Sequence, residues 1–539
     1  MLRITSLTLA ILLVIISAGC LYIVPGKIQE QIQQEVQLKI ATKMYEKFTR
    51  VPIPLTMKVT FFNITNPEQV LSGNAMPVFQ EVGPFVYKQW RRREVQDFED
   101  NNRKVRYREI KTYYLDEPAN RLDLNATMIT LVNVPMLAVL TKVSQLQGDM
   151  GKSIAAKIVS RLSNDGGEKI LITRPATEFL FDGYAVKFFQ QVQKLVDGLG
   201  YPFDSPLKRN KFGFFYGKNN TWNRKENGEF TIFSGRHDSF DRFMQIDSWN
   251  NMTQLNVWPK GGPSGNACNT IQGTDGSQFH PGLKRDTRLY VFSPEVCRSL
   301  QLEYREDTTA RDIPLYRYST PTETFAAPYK NEKSSCFCVA GIKPIVSKNQ
   351  AHGLSGANRS ANRCYLDGIM DLSLCQGAPI AVSSPHFFGA DPMLAMTAGL
   401  RPQKSKHETY VDIEPMTGSV MRASKRAQIN AIVDEAALKL IDSSIIGHMT
   451  PMISPLFWVE ESAEIDEKLA HEFKTKLLDL VQRFNKTMYT LIIVGILIIL
   501  ASLMHFLWSV YWRPSSNDKQ KHNADKVSSS SQSSIIAIA

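Results

Sequence analysis

The chain has no long block of lysines and arginines, although its formal charge is +11. The positive balance is spread along the sequence, which argues against nucleic acid and leaves anionic partners of another kind. There is no G-x-S-x-G elbow and no H-E-x-x-H pair, which sets aside the usual serine hydrolase and zinc protease arrangements. His237-Asp238 has no partner histidine at useful spacing, and His386, beside Phe387-Phe388, reads as a structural histidine. Gln147-Gly-Asp-Met-Gly-Lys-Ser153 ends like a phosphate-binding loop, but Leu146 stands where its first glycine belongs. An enzyme is not expected, nor a cofactor or a bound metal. No internal repeat is visible, and the tail after Val510 has neither a cysteine for palmitoylation nor an acidic-dileucine sorting signal.

What is present is ordinary globular material, 539 residues long, 43% hydrophobic and 21% charged, with two exceptional runs. Residues 4–24 carry no charge, and residues 488–510 carry only His505 as an ionisable group. A bilayer core needs about 20 helical residues, so each run spans once. The alternative for the first is a cleaved signal peptide, with small residues at Ser17-Ala18-Gly19-Cys20. Its apolar run is longer than the roughly 7 to 15 residues of a signal core, which favours a retained anchor. Trp508, Tyr511 and Trp512 form an interfacial aromatic belt before Arg513.

Arg3 at one end and Arg513, Lys519, Lys521 and Lys526 at the other place both termini in the cytoplasm by the positive-inside rule. Glycosylation sequons at Asn63, Asn125, Asn219, Asn251, Asn358 and Asn485 all fall between the spans, the last too near the membrane to be a good acceptor. The expected organisation is a cytoplasmic 1–3, a span at 4–24, an ectodomain over 25–487, a span at 488–510 and a cytoplasmic tail over 511–539.

After the first span comes a helical stripe of Ile28, Ile32, Val36, Ile40, Met44 and Phe48, stopped by Val51-Pro-Ile-Pro54. A second stripe, Ile465, Leu469, Phe473, Leu477, Leu480 and Phe484, precedes the second span, and both are expected to pack on the same body. From Met57 to Tyr114 the pattern is β, and Arg91-Arg-Arg93, offset by nearby acids, reads as a solvated hairpin turn. Residues 134–196 turn helical, with helices expected over Gln145–Leu162 and Ala176–Val196. From Lys142 to Lys194 there are eight Lys/Arg against five Asp/Glu, with apolar residues interleaved. β texture resumes at Lys211-Phe-Gly-Phe-Phe-Tyr216 and runs to Tyr410-Val-Asp-Ile413.

Six of the seven cysteines lie between Cys268 and Cys375. Cys336-Phe-Cys338 is too tight for the usual zinc spacing, and alternate residues of such a tripeptide must reach different partners. On the outer side of a membrane the six read as three disulfides, each worth about 2 to 4 kcal/mol.

Four blocks then carry a likeness. They are Phe62-Asn-Ile-Thr-Asn-Pro67 with Glu81-Val-Gly-Pro-Phe-Val-Tyr87; Ile271-Gln-Gly-Thr-Asp275 with Phe292-Ser-Pro-Glu-Val-Cys-Arg-Ser299 and Ile313-Pro-Leu-Tyr-Arg-Tyr318; Cys336-Phe-Cys338 with Ser384-Pro-His-Phe-Phe388; and Tyr410-Val-Asp-Ile-Glu-Pro-Met-Thr-Gly418. With two terminal anchors, the chain resembles the class B scavenger receptors over nearly its whole length. The resemblance implies an α+β membrane protein: two terminal transmembrane helices holding a large, partly open antiparallel β-barrel with an apical helical bundle over 134–196. It implies disulfides Cys268–Cys336, Cys297–Cys375 and Cys338–Cys364, with Cys20 unpaired. The 25 residues from Val339 to Arg363 depart from the family's short loop and make the Cys338–Cys364 pair the least secure.

The resemblance further implies binding of lipids (fatty acids, phospholipids or sterols), lipoproteins or other anionic ligands at the apex, and passage of lipid through a tunnel. Such amphiphiles need cations beside apolar surface, which Lys152, Lys157, Arg161, Lys169 and Arg174 supply among Met150, Ile154, Ile158 and Leu162. The same cations would also serve simply to solubilise two exposed helices. The expected location is the plasma membrane. The alternative is a lysosomal membrane receptor that sorts a soluble protein partner or exports lipid.

Overall fold

The computed structural model describes residues 2–144, 153, 156–157, 160–161, 169–186, 211–222, 227–260, 266–327, 330–337, 367–439 and 447–512. The chain forms two compact units, Met1–Gln31 with Lys468–Ala539, and Ile32–Glu467.

The first unit is built on two long helices. One runs from Leu2 to Val36; the other runs from Glu467 through a π-helical turn at Lys474–Leu478 to Tyr511. Both are long and apolar enough to cross a membrane, and a helix satisfies its own backbone polar groups, as lipid demands. Most of their large apolar side chains are exposed, whereas Ala10, Ser17 and Gly495 are buried. An added Cβ at Gly495 would lie 2.6 Å from Val14 Cγ2, so the missing side chain is what lets the two helices approach.

The second unit carries seventeen strands among the described residues. They are β1 (Leu55–Ile64), β2 (Phe79–Glu99), β3 (Lys104–Leu115), β4 (Met128–Val132), β5 (Leu171–Pro175), β6 (Tyr184–Ala185), β7 (Lys211–Phe212), β8 (Glu229–Phe233), β9 (Ile246–Trp249), β10 (Leu289–Ser293), β11 (Arg298–Ala310), β12 (Ile313–Ser319), β13 (Met370–Asp371), β14 (Ile380–Ser383), β15 (Tyr410–Glu414), β16 (Ser419–Val433) and β17 (Met452–Glu464). Thirteen join one sheet, along the path β10-β11-β12-β15-β16-β17-β1-β2-β3-β8-β9, with β13 and β14 branching from β16. The named pairings are antiparallel.

The sheet nearly closes on itself. Its two edge strands, β9 and β10, do not pair directly, but residues 273–274 run between them. The Ile246 N–H donates to Gly273 O at 2.8 Å, while Thr274 exchanges bonds of 3.0 and 2.9 Å with the backbone of Tyr290 and Phe292. Gly273 has φ 87°, and a Cβ there would lie 2.0 Å from Tyr290 O. Only glycine permits that approach. The strap thereby occupies backbone groups that an open sheet would leave unpaired.

The next residue, Asp275, locks the strap. Its Oδ2 accepts from Arg93 Nη2 at 2.8 Å and from the Tyr107 hydroxyl at 3.1 Å. Arg93 also donates to Ser277 Oγ at 3.1 Å and to Phe48 O at 3.0 Å, lies 3.5 Å from Glu109, and faces the Phe48 ring at 4.9 Å. Burial alone would lower the pKa of Arg93; Asp275, Tyr107 and Glu109 more than offset it and hold the guanidinium above its usual range.

This corrects the reading of Arg91-Arg-Arg93 as a turn. The triplet lies inside β2, and the turn falls beyond it, at Asp100–Asn102, where φ is positive. Strand alternation puts Arg91 and Arg93 on the face of Phe85, Tyr87 and Gln89, and turns Arg92 to the other side. The first helical stripe is also shorter than expected. The helix ends at Val36, and a second one, Lys43–Thr49, follows with Thr42 capping Tyr45 N. Leu38 (0% exposed) enters the core, while Ile40 (63% exposed) faces out.

Replacing Arg93 with methionine leaves Asp275 and Glu109 without their buried cation and is expected to cost about 3–5 kcal/mol. Thermal unfolding of the full chain in detergent measures it. Adding Asp275→Asn to Arg93→Met is expected to restore part of the loss; equal melting of Arg93→Met and wild type would contradict the role given to the pair.

Candidate functional site

The described parts of residues 134–222 pack against the apolar end of the face that carries Phe85 and Tyr87. Its first helix, Val134–Ser144, buries most of its side chains in the main core, with Met57, Val59, Phe61, Phe85 and Phe457. Asn133, fully buried, caps that helix by accepting from Met136 N at 3.2 Å and donates to Lys169 O at 3.0 Å. β4 and β5, on either side of that helix in the chain, pair antiparallel, and a π-helical turn at Glu178–Asp182 follows.

The helix expected over Ala176–Val196 therefore ends early. Gly183, at φ 67°, turns the chain where a Cβ would lie 2.9 Å from the Tyr216 ring, and Tyr184–Ala185 continues as β6, paired with β7. The β run expected over Lys211–Tyr216 is likewise only Lys211–Phe212; Phe214 and Phe215 belong to a turn whose N–H groups donate to Phe179 O and Leu180 O at 2.8 and 2.9 Å. Most of the helix expected over Gln145–Leu162 lies outside the described residues, although residues 156–157 and 160–161 are helical.

These turns gather aromatic rings. Phe179 meets Phe61 at 6.0 Å and Tyr184 at 5.7 Å; Tyr184 meets Phe212 at 5.8 Å; Phe214 meets Phe457 at 4.5 Å; Phe181 stacks on Phe215 at 5.4 Å and meets Tyr87 at 4.9 Å. Phe181, Phe212, Phe214 and Phe215 stay half-buried, so part of this apolar surface is open. Cations border it. The Arg174 guanidinium lies 5.6 Å from the Tyr184 ring and 3.9 Å from Glu178, and Lys218 Nζ lies 6.0 Å from the Phe215 ring.

Of the cations nominated from the sequence, Arg174 is thus placed beside the aromatic surface. Lys157, Arg161 and Lys169 are exposed, with Lys157 and Arg161 one helical turn apart and the adjacent Ala156 buried in the main core. Lys152 lies outside the described residues. Lys218 was not nominated; its aromatic neighbours at 214–216 were the available signal, obscured by reading that stretch as a strand.

Along the same sheet face the apolar cluster gives way to charge. Gln89 bridges the two zones, donating to the Tyr113 hydroxyl at 3.1 Å and to Glu461 at 3.0 Å. Arg91 and Lys425 flank Glu461 at 3.3 and 3.7 Å, and Lys111 lies 3.1 Å from Glu295. Burial would raise the pKa of Glu461, but Lys425, Arg91 and Lys111 hold it down at about 2. The arrangement offers an open, cation-bordered aromatic surface at one end and a charge-balanced layer farther along the face. That is chemistry suited to a molecule with an apolar body and an anionic head.

The cysteines sit elsewhere. The structure forms Cys268–Cys336 and Cys297–Cys375, each with Cα atoms 6.0 Å apart. Cys338 and Cys364 lie outside the described residues, and Cys20 is a free thiol. Asn125, Asn219 and Asn251 are exposed and Asn63 is half-buried, whereas Asn358 is not described. The amides of three are engaged: Asn63 Oδ1 accepts from Thr130 N at 2.7 Å, Asn125 Oδ1 accepts from the Thr177 hydroxyl at 3.2 Å, and Asn219 bridges the backbone of Tyr113. Among the described residues no group of three or more His, Cys, Asp or Glu side chains could hold a metal ion.

His386 is part of a buried pair. Its ring stacks on His407 at 4.2 Å. The N–H groups of Arg401 and Gln403 donate to Nδ1 of His386 and His407 at 3.3 and 2.9 Å, which puts each neutral ring's proton on Nε2. His386 Nε2 then donates to Glu81, at 3.0 Å, and Trp458 Nε1 donates to the same carboxylate at 2.8 Å. Burial, followed by the neighbouring His386, draws His407 down to about 4.

A family model described as the CD36 family matches residues 7–506. Lysosome membrane protein 2 of Rattus norvegicus is 29% identical over 475 residues, covering 87% of this chain and 88% of the relative. Scavenger receptor class B member 1 of Rattus norvegicus is 28% identical over 521 residues, covering 95% and 92%. Sensory neuron membrane protein 2 of Drosophila melanogaster is 26% identical over 543 residues, covering 90% and 93%.

The lowered pKa of His407 carries a pH dependence whose sign follows from its direction. The unfolded His407 titrates near 6.5 and the folded one near 4, so between these values the unfolded chain holds more protons. Its stabilising contribution is complete above about pH 6.5 and is lost as pH falls toward 4. His407→Phe keeps a stacking ring that cannot titrate. Its melting temperature is expected to fall less steeply over that interval than that of wild type; parallel curves would contradict the assignment.

Proposed function

The chain belongs to the CD36 family, and from that premise we propose that it is a cell-surface scavenger receptor for amphiphiles with anionic heads. Fatty acids and phospholipids are such amphiphiles; lipoproteins complete the ligand class, and sterols, which carry no charge, would enter with them. In this reading the 134–222 segment captures them, lipid is taken up through the domain between the two spans, both termini are cytoplasmic, and the sequons are glycosylated. The supporting observation is the half-buried aromatic group of Phe181, Phe212, Phe214 and Phe215, bordered by Arg174 and Lys218. An apolar tail gains by covering such rings, and the cations favour a negative head. The protein acts as a receptor and not as an enzyme.

A second reading has one observation in its favour: a relative at 29% identity is named a lysosome membrane protein. The chain would then serve in the lysosomal membrane, sorting a soluble protein partner or exporting lipid. Its distribution between cell surface and lysosome separates the two.

The test is uptake of fluorescent fatty acid and of labelled lipoprotein by cells expressing wild type or Lys157→Glu/Lys169→Glu/Arg174→Glu. With surface amounts matched by biotinylation, the variant is expected to lose about fivefold or more of the uptake at low ligand concentration. Uptake equal to wild type, or wild-type uptake no greater than that of mock cells, would overturn the reading.

A further inference from the structure

Residues 401–407 lie between the helix Pro392–Thr397 and β15, and 401–406 are all exposed. Just before them, Leu400 packs against the apolar cluster of Phe387, Leu394 and Ala398. Just after them, Arg426 Nη1 donates to Glu408 O at 2.6 Å, and Thr409 Oγ1 exchanges bonds of 3.0 and 2.9 Å with the backbone of Arg426. Between these anchors the buried side chain is that of His407, stacked on His386, and the Arg401 N–H donates to His386 Nδ1 at 3.3 Å. The Gln403 N–H donates to His407 Nδ1 and so folds the segment round its own ring. His386 belongs to the body: its N–H donates to Gln428 Oε1 at 2.7 Å, its backbone is held at φ 53°, and Phe62 meets its ring at 5.5 Å.

Each Nδ1 therefore accepts from a backbone N–H, while each Nε2 carries the neutral ring's proton. A further proton enters at Nδ1, where it turns an acceptor into a donor that faces another donor. The bond from Arg401 or Gln403 is lost with it. A second proton would set two cations face to face, with ring centres 4.2 Å apart. The groups around the pair pull in opposite directions. From β2, Glu81 faces His386 at 3.0 Å and favours a proton there. From β16, Arg426, paired with Glu460 of β17, and from the segment itself Lys406, oppose a proton on His407. β1 and β17 present the rings of Phe62 and Trp458. Outside the stack, an imidazole takes up its proton at about pH 6.5.

We propose that the His386–His407 stack is an acid-released latch: a proton taken up at Nδ1 of either ring frees residues 401–407 from the body while the sheet beneath stays intact. The latch uses no residue of the aromatic surface near Arg174, and it stands whether the chain works at the cell surface or in the lysosomal membrane.

Backbone hydrogen exchange of the full chain in neutral detergent, read by mass spectrometry at about pH 7.4 and about pH 5 and corrected for the intrinsic pH dependence of exchange, tests it. In wild type, peptides covering residues 401–408 are expected to open about tenfold or more on acidification, while peptides from β16 and β17 keep their protection. His386→Asn/His407→Asn carries amide oxygens that can accept as Nδ1 does but cannot titrate. Its protection over 401–408 is expected to agree within about twofold at the two pH values.

Absence of an acid response at 401–408 in wild type, or an equal loss of protection in β16 and β17, would overturn the latch. So would an acid response that survives in the double variant. Should that variant fail to fold, Glu81→Gln decides. With the carboxylate beside His386 gone, the closed stack tolerates a proton less well, and the acid response is expected to exceed that of wild type. A response no larger than that of wild type would overturn the assignment.

Discussion

The contact between Arg93 and Asp275 is the constraint on which the second unit rests. A sheet with two free edges needs its edge groups occupied, and here the strap at residues 273–274 occupies them. The strap is held because Asp275 meets a guanidinium that has no route to water. Arg93 in turn draws its remaining partners from the Lys43–Thr49 helix, through Phe48, and from β3, through Glu109 and Tyr107. One buried cation thus joins four separate stretches of chain. The pair is weak evidence for net stability as such, since desolvating two charges is expensive. Its value lies in geometry: no other register of β2 brings Arg93 to all of these partners at once.

That choice of register has a consequence farther along the face. Because side chains alternate, the residues that bring Arg93 inward also bring Gln89 and Arg91, and at the other end Tyr87 and Phe85. The face is therefore divided into a charged zone and an aromatic zone, with Gln89 and Tyr113 at the boundary. An apolar chain is favoured on one side of that boundary and penalised on the other. The partition lends the receptor reading a direction, with binding at the aromatic end where Arg174 and Lys218 border the rings.

Much of the architecture was legible in the residues. The two apolar runs became the two long helices, and the β texture became a single large antiparallel sheet. The misreadings share a cause, which is that local pattern cannot register distant partners. Arg91-Arg-Arg93 looks like a turn because three adjacent charges usually seek water, and the decisive partner, Asp275, is 182 residues away. Ala176–Val196 has helical texture, but a glycine with Tyr216 packed against it turns the chain at Gly183. The block Ile271–Asp275 was visible as part of a family likeness, yet its work as a strap depends on two strand edges that no local pattern relates. The cations of the candidate site were legible as a mixture with apolar residues; which of them lies beside exposed rings was not.

The central claim is that ligand meets this molecule on the aromatic side of the divided face. Photolabelling of the full chain in membranes with a diazirine-bearing fatty acid, followed by peptide mass spectrometry, tests it most directly. Labels concentrated at Phe179–Tyr184 and Phe212–Phe215, with few at Gln89–Arg93, Lys111 or Glu461, are the expected result. Labels confined to the two long helices, or concentrated in the charged layer, would contradict it.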